Sequence, residues 1–295
     1  MSQFFNFIHN KYQNGTTLIR LIFINVGVFL LIRIAFIVLQ LFNLSGDHFL
    51  HYIEMPAALN TFIKQPWSVI SYMFLHYDFF HLFFNMLCLY WFGKFFLDSF
   101  SQKQLVGVYL WGGIAGTAVY FAAYNLFPLF ANRVATSYLL GASASVMAIL
   151  VVAAIATPNA TIRLIFIGDV KLKYIAIITF LLSAFGTTSS NAGGEFAHIG
   201  GALMGYIYAR LLYRGNDLTQ PVTRVINWFA NLFKPKPKMR KIKFSKKPKS
   251  DAEYNYEKKQ AEKNIDIILD KIKKSGYQSL TDEEKQQLFN QSKKM

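Results

Sequence analysis

The chain contains one cysteine, Cys88, in 295 residues. No internal disulfide can form, and a thiol in the middle of an apolar run reads as core packing rather than redox chemistry. Acidic residues are scarce too, 16 Asp and Glu against 31 Lys and Arg, for a net charge of +15. In a soluble protein that balance would point to nucleic acid. Here 18 of the 31 basic residues lie beyond Phe233, so the charge belongs to a tail and no nucleic-acid partner is expected. No His-Glu-x-x-His pair is present, which argues against a metal held by His76, His81 and His198. No cofactor is expected. The paired repeats and interrupted helices of a transporter with a histidine relay are missing as well. No cleavable leader is expected either: the first seventeen residues are polar and aromatic, and the first apolar run is too long.

Apolar side chains are abundant instead. The chain is 53% hydrophobic and 17% aromatic, with a mean hydropathy of +0.27. Soluble domains hold about 45–50% apolar residues even when glycine is counted. The excess falls in six runs, at about Leu18–Phe42, Val69–Phe92, Leu105–Tyr124, Tyr138–Ala156, Lys173–Phe185 and Phe196–Leu212. Most approach the ~20 residues a helix needs to cross a bilayer; the fifth is short. The pattern predicts an all-α, polytopic membrane protein with six transmembrane helices. Six spans put both termini on one side. The segments on that side carry Lys11, Lys103, Arg163, Lys171 and the basic tail, whereas the opposite loops carry only Lys64 and Arg133 beside Asp47, Glu54 and Glu195. Positive-inside logic therefore places both termini in the cytoplasm. Trp67, after Pro66, reads as an aromatic-belt anchor. Arg33, near the middle of the first run, either faces the bundle or snorkels to an interface.

Polar groups inside such runs are expensive in hydrocarbon and mark functional sites. Three clusters stand out: His76, His81 and Asn85 in the second run, Ser143 within Gly-Ala-Ser-Ala-Ser-Val, and His198 within Ala-His-Ile-Gly-Gly-Ala-Leu-Met-Gly. On a helix His81 and Asn85 lie about 40° apart, on one face, and His76 lies about 140° from His81, at the rim. Gly201 and Gly205 follow His198 on one side, a Gly-x-x-x-Gly pair that lets helices approach. Gly112 and Gly116 form a second pair, read as helix contact alone. Ser143 is a poor nucleophile until a base removes its proton, which His198 can do. The carboxylate nearest in sequence, Asp78, reads as a solvated rim charge, so a dyad is expected rather than a triad. His81, Asn85 and the Ser143 backbone N–H are candidate oxyanion donors. Ser145 is expected to back-bond to its own helix. The loop Gly186–Glu195, rich in Gly, Ser, Thr and Asn, reads as a mobile cap.

These motifs together resemble those of the rhomboid intramembrane serine proteases: His76-x4-His81-x3-Asn85, Gly141-Ala142-Ser143, and Ala197-His198 with Gly201 and Gly205. The likeness is close over residues 67–213 and loose over the first run. It implies Ser143 as nucleophile, His198 as base, His81 and Asn85 in the oxyanion hole, and His76 as a further histidine near the site. The implied activity is cleavage of transmembrane protein substrates near the outer face, without a cofactor, in a bacterial inner membrane. Three departures are visible. Ala144 stands where rhomboids commonly have Gly, Met147 where many have an aromatic residue, and Trp67-Ser68 where a Trp-Arg pair is usual. The alternative is a catalytically silent rhomboid-like protein that binds membrane helices.

The expected organisation is a protease domain over residues 1–215, a basic linker over 216–250 and a helical tail over 251–295. Nine Lys or Arg fall within Lys234–Lys249, broken by Pro235, Pro237 and Pro248, a composition that cannot build a core. Such clusters attract anionic lipid. Ile265, Ile268, Leu269 and Ile272 recur at helical spacing, with Gly276 as a stop and a capping box at Thr281 and Glu284. The tail, from Ser275 on, resembles those of some bacterial rhomboids. It is expected either to bind a partner protein or to anchor on the membrane surface.

Overall fold

The structure is a computed structural model that describes residues 6, 9, 12–164, 166–232 and 250–292. The chain divides into two compact units, residues 1–234 and 235–295.

The first unit is mostly helical. Among the described residues, three helices are long and apolar enough to cross a membrane: α1 (Thr17–Leu41), α2 (Phe79–Ser99) and α3 (Gln102–Leu126). Leu31, Ile34 and Leu41 on α1 are largely exposed, as a lipid-facing surface requires. Two apolar helices are shorter, α4 (Ser143–Ala156) and α5 (Leu172–Phe185), at 14 residues each. A last long helix, α6 (Ala192–Leu212), carries Glu195, His198 and five glycines, which lower its mean hydropathy. Helix α7 (Thr219–Leu232) follows, over residues expected to be linker, and joins α3 where the Trp111 indole donates to the Leu218 carbonyl at 2.9 Å.

Starts and stops follow local chemistry. Ser101 and Gln104 form a capping box that opens α3, and Thr16 caps α1. The second apolar run is not one helix from Val69. Residues 68–74 form short helical turns, and α2 begins at Phe79 because the Asp78 carboxylate accepts the His81 N–H at 2.8 Å. The turns are held to α3 by two buried tyrosines. Tyr72 donates to the Gly113 carbonyl at 2.7 Å, and Tyr109 donates to the Met73 carbonyl at 2.8 Å.

The all-α expectation is amended by two small antiparallel ladders. In one, β1 (Met55–Pro56) pairs β2 (Tyr138–Leu139), with Met55 opposite Leu139. The fourth apolar run therefore starts as a strand at Tyr138 and becomes helical only at Ser143. In the other, β3 (Thr161–Leu164) pairs β4 (Gly168–Lys171) as a hairpin between α4 and α5.

Around a core that includes Leu89, Phe96, Leu105, Ile149 and Leu150, α4 lies against α2, α3 and α6. Close approach of α4 and α6 depends on missing side chains. A Cβ on Gly201 would collide with the Ala144 carbonyl, and one on Gly205 would lie 2.6 Å from the Ala148 oxygen.

The second unit contains α8 (Asp251–Ser275), opened by a Ser250–Glu253 capping box and stopped at Gly276, whose φ is +77°. Helix α9 (Asp282–Ser292) opens with the Thr281–Glu284 capping box. Ile268 and Leu280 are buried between them, and Lys271 pairs with Glu284 at 2.8 Å. That ammonium holds the Glu284 carboxyl below its ordinary value. Of the apolar stripe only Ile268 is fully covered; Leu269 is exposed. The basic, proline-broken stretch up to Lys249 lies outside the described residues.

Candidate active site

A cavity of about 660 Å³ opens among the N-terminal ends of α2, α4 and α6. Tyr77, His81, Asn85, Ser143 and His198 line it, together with the β2 segment and residues around Asn191. Four of the five residues singled out in the sequence thus meet at one space.

Ser143 is the first residue of α4, and the residue before it, Ala142, gives no side-chain cap. The first amides of a helix lack carbonyl partners within it, so the N–H groups at this end remain available beside the serine hydroxyl. The approach to Ser143 is set by Gly141, whose φ is +128°. A Cβ there would be strained and would stand 3.0 Å from His81 Nε2 and 3.6 Å from Ser143 Oγ. The Gly141 N–H donates to the Tyr72 carbonyl at 3.0 Å, which ties this turn to the segment before α2.

His81 Nδ1 accepts the Tyr77 backbone N–H at 3.3 Å. That bond assigns the ring proton of a neutral His81 to Nε2, on the side of Gly141 and the cavity. One turn later, Asn85 donates Nδ2 to the His81 carbonyl at 2.9 Å, which leaves its second amide proton free to donate. His76 does not share the helix with His81. It sits in the loop before α2, buried, with its ring edge-on to His81 at 5.1 Å between centroids. It does not line the cavity. Arg33 turns toward this loop and donates to the Tyr77 carbonyl, with Phe29 beneath its guanidinium at 5.3 Å.

His198 lies on the second turn of α6. Its Nδ1 faces Ser183 Oγ of α5 at 3.1 Å and Glu195 Oε2 at 3.3 Å. The other nitrogen, Nε2, has no hydrogen-bond partner among the described residues. Among the described residues no Ser143–His198 hydrogen bond is formed. Active-site bonds of this kind are often long before substrate binds.

Sequence reasoning placed Glu195 in a loop and started the last helix at Phe196; α6 begins at Ala192 instead, so Glu195 is helical. The Glu-x-x-His spacing was the signal available for it. Ser183 had no local signal, since only the meeting of α5 and α6 brings it to His198. Asp78, read as a rim charge, is the cap that starts α2 and also lines the cavity. Ser145 does not back-bond. It is fully buried, and among the described residues its hydroxyl has no hydrogen-bond partner. Trp67 stays partly exposed and donates Nε1 to the Tyr52 carbonyl at 2.9 Å. Ser68 is buried against Met55, 3.3 Å from its sulfur.

These features define a helical membrane protein with a polar, serine- and histidine-lined cavity. The family model of the Rhomboid domain matches residues 64–215, and the chain belongs to the rhomboid family. A relative from Arabidopsis thaliana, "RHOMBOID-like protein 12, mitochondrial", is 28% identical over 204 residues. That alignment covers 65% of this chain and 57% of the relative's length. Residues 249–294 match a family of unknown function, DUF6576.

Proposed function

We propose that the protein is an intramembrane serine endopeptidase that cleaves transmembrane-helix substrates near the outer membrane face. The observation that carries this reading is the single cavity shared by Ser143, His198, His81 and Asn85. Ser143 attacks the scissile carbonyl while His198 Nε2 takes its proton. The oxyanion then sits among the Ser143 N–H, the Asn85 amide and His81 Nε2–H. His76 supports His81 from behind and does not touch substrate.

In this reading α1 to α6 are six spans, with α4 and α5 completed by the segments beside them. The catalytic residues come from the N-terminal ends of α2, α4 and α6, which alternate along the chain and so share a side. Arg163 and Lys171 in the β3–β4 hairpin lie at the other ends, which favours the cytoplasm for that side and for both termini. The tail resemblance supports a bacterial inner membrane. The proposed divisions are a protease domain to residue 215, a connecting segment to 250 and a tail that meets anionic lipid or a partner protein.

A second reading, a catalytically silent rhomboid-like protein that binds membrane helices, has in its favour the absent Ser143–His198 bond. One assay separates the two. Purified protein is incubated with a model transmembrane substrate, beside Ser143→Ala. Cleavage by the parent chain and none by the variant is expected; equal product from both, or none from either, would remove the protease assignment.

A further inference from the structure

The expected dyad leaves the second nitrogen of His198 without a task, yet the structure surrounds it. Glu195 stands one turn before His198 on α6, its Oε2 3.3 Å from Nδ1. Ser183 reaches the same nitrogen from α5 at 3.1 Å, and it is almost fully buried. Room for the carboxylate is made by Gly186, where a Cβ would lie 2.8 Å from Glu195 Cγ. The acid also occupies the first turn of α6, where the free amide ends favour negative charge. Of the helices around His198, α2 brings His81, with Asp78 at its cap, α4 brings Ser143 and α5 brings Ser183; of the two carboxylates, Glu195 is the one within hydrogen-bond reach of His198.

We propose that Glu195, assisted by Ser183, is the positioning residue of this site. It accepts the Nδ1 proton of His198 and so holds the ring in the tautomer whose Nε2 lone pair faces Ser143. When Nε2 takes the serine proton, the ring becomes a cation and the carboxylate beside it compensates the new charge. Glu195 and His198 keep about a fifth of their side-chain surface exposed, so water weakens the pair and its effect is smaller than that of a buried carboxylate. This inference rests on the protease reading.

The test uses the full chain in detergent with a model transmembrane substrate. The parent, Ser143→Ala, Glu195→Ala, Glu195→Gln and Ser183→Ala are compared for kcat, KM and thermal midpoint. Nitrogen-15 NMR reads the His198 tautomer. Glu195→Ala is expected to lower kcat about tenfold to a hundredfold with KM and midpoint unchanged, a share of the factor that general-base catalysis contributes. The ring should move from the Nδ1–H form toward a mixture. Glu195→Gln should lie between, because its amide oxygen still accepts the proton but carries no charge, and Ser183→Ala should lose less than Glu195→Ala. A parental kcat and tautomer in Glu195→Ala would overturn the inference, as would a kcat loss matched by a lower midpoint. A parent that does not cleave, or a Ser143→Ala that does, sinks the protease reading itself. Cleavage by the parent, silence in Ser143→Ala and parental kcat in Glu195→Ala would sink only the role given to Glu195.

Discussion

Ser143 and Ser145 differ by two positions and by their surroundings. Ser143 opens α4 at the cavity, whereas Ser145, on the same helix, is fully buried and its hydroxyl has no hydrogen-bond partner among the described residues. An unpaired buried hydroxyl contributes nothing to offset its desolvation. Ser145→Ala should therefore retain most activity and keep or raise the thermal midpoint. A silent Ser145→Ala would move the nucleophile by two residues. Asn85 donates one amide proton to its own helix and has one left, which the proposed mechanism gives to the oxyanion. Asn85→Ala should lower kcat without abolishing it, by about 10²–10³, the usual effect of losing one such donor. Parental turnover in steady-state assays would remove Asn85 from the site.

At the scale of elements, the boundary of α2 decides the geometry of the site. Asp78 ends the loop that holds His76 and fixes the first turn, on which His81 stands. Asp78→Ala should cost about 1 kcal/mol of stability, within the range for a lost N-cap, and read as a lower thermal midpoint. Activity should fall with it, because Tyr77 and His81 lose their shared frame. An unchanged midpoint in differential scanning would show that the loop is held by Arg33 and the Tyr72–Tyr109 contacts without the cap. The same boundary separates what was legible from what was not. An Asp immediately before a helix-forming apolar stretch is a local N-cap signal, but the apolar residues from Val69 onward outweighed it and suggested one helix. The β1–β2 ladder was hidden because two-residue strands have no periodicity to read.

For the whole molecule, topology and tail are the open tests. In a Cys88→Ala background, a cysteine placed near Arg133 should react with an impermeant thiol reagent from outside the cell. One placed near Arg163 should react only after lysis. The reverse labelling would put the cavity on the cytoplasmic side. Deletion of residues 234–295 should leave detergent activity on a model substrate largely intact, since every residue that lines the cavity falls between Tyr77 and His198. Activity lost at an unchanged thermal midpoint would make the tail part of the catalytic machinery.

The sequence alone was enough for the membrane class, because hydropathy accumulates along the chain and needs no tertiary contact. It was enough for the candidates Ser143, His198, His81 and Asn85, because polar groups in apolar runs are conspicuous wherever they end up. The capping boxes of the tail were legible too, since each is closed within four residues. Only the tertiary structure decided that His76 stands behind His81 rather than on its helix, and that Ser183 and Glu195 converge on His198. It also decided that Gly141, at a φ of +128°, must lack a side chain, whose Cβ would crowd the His81 ring. Those arrangements depend on where one helix ends and which face of another it meets. Contacts between residues far apart in the chain leave no periodic trace in it.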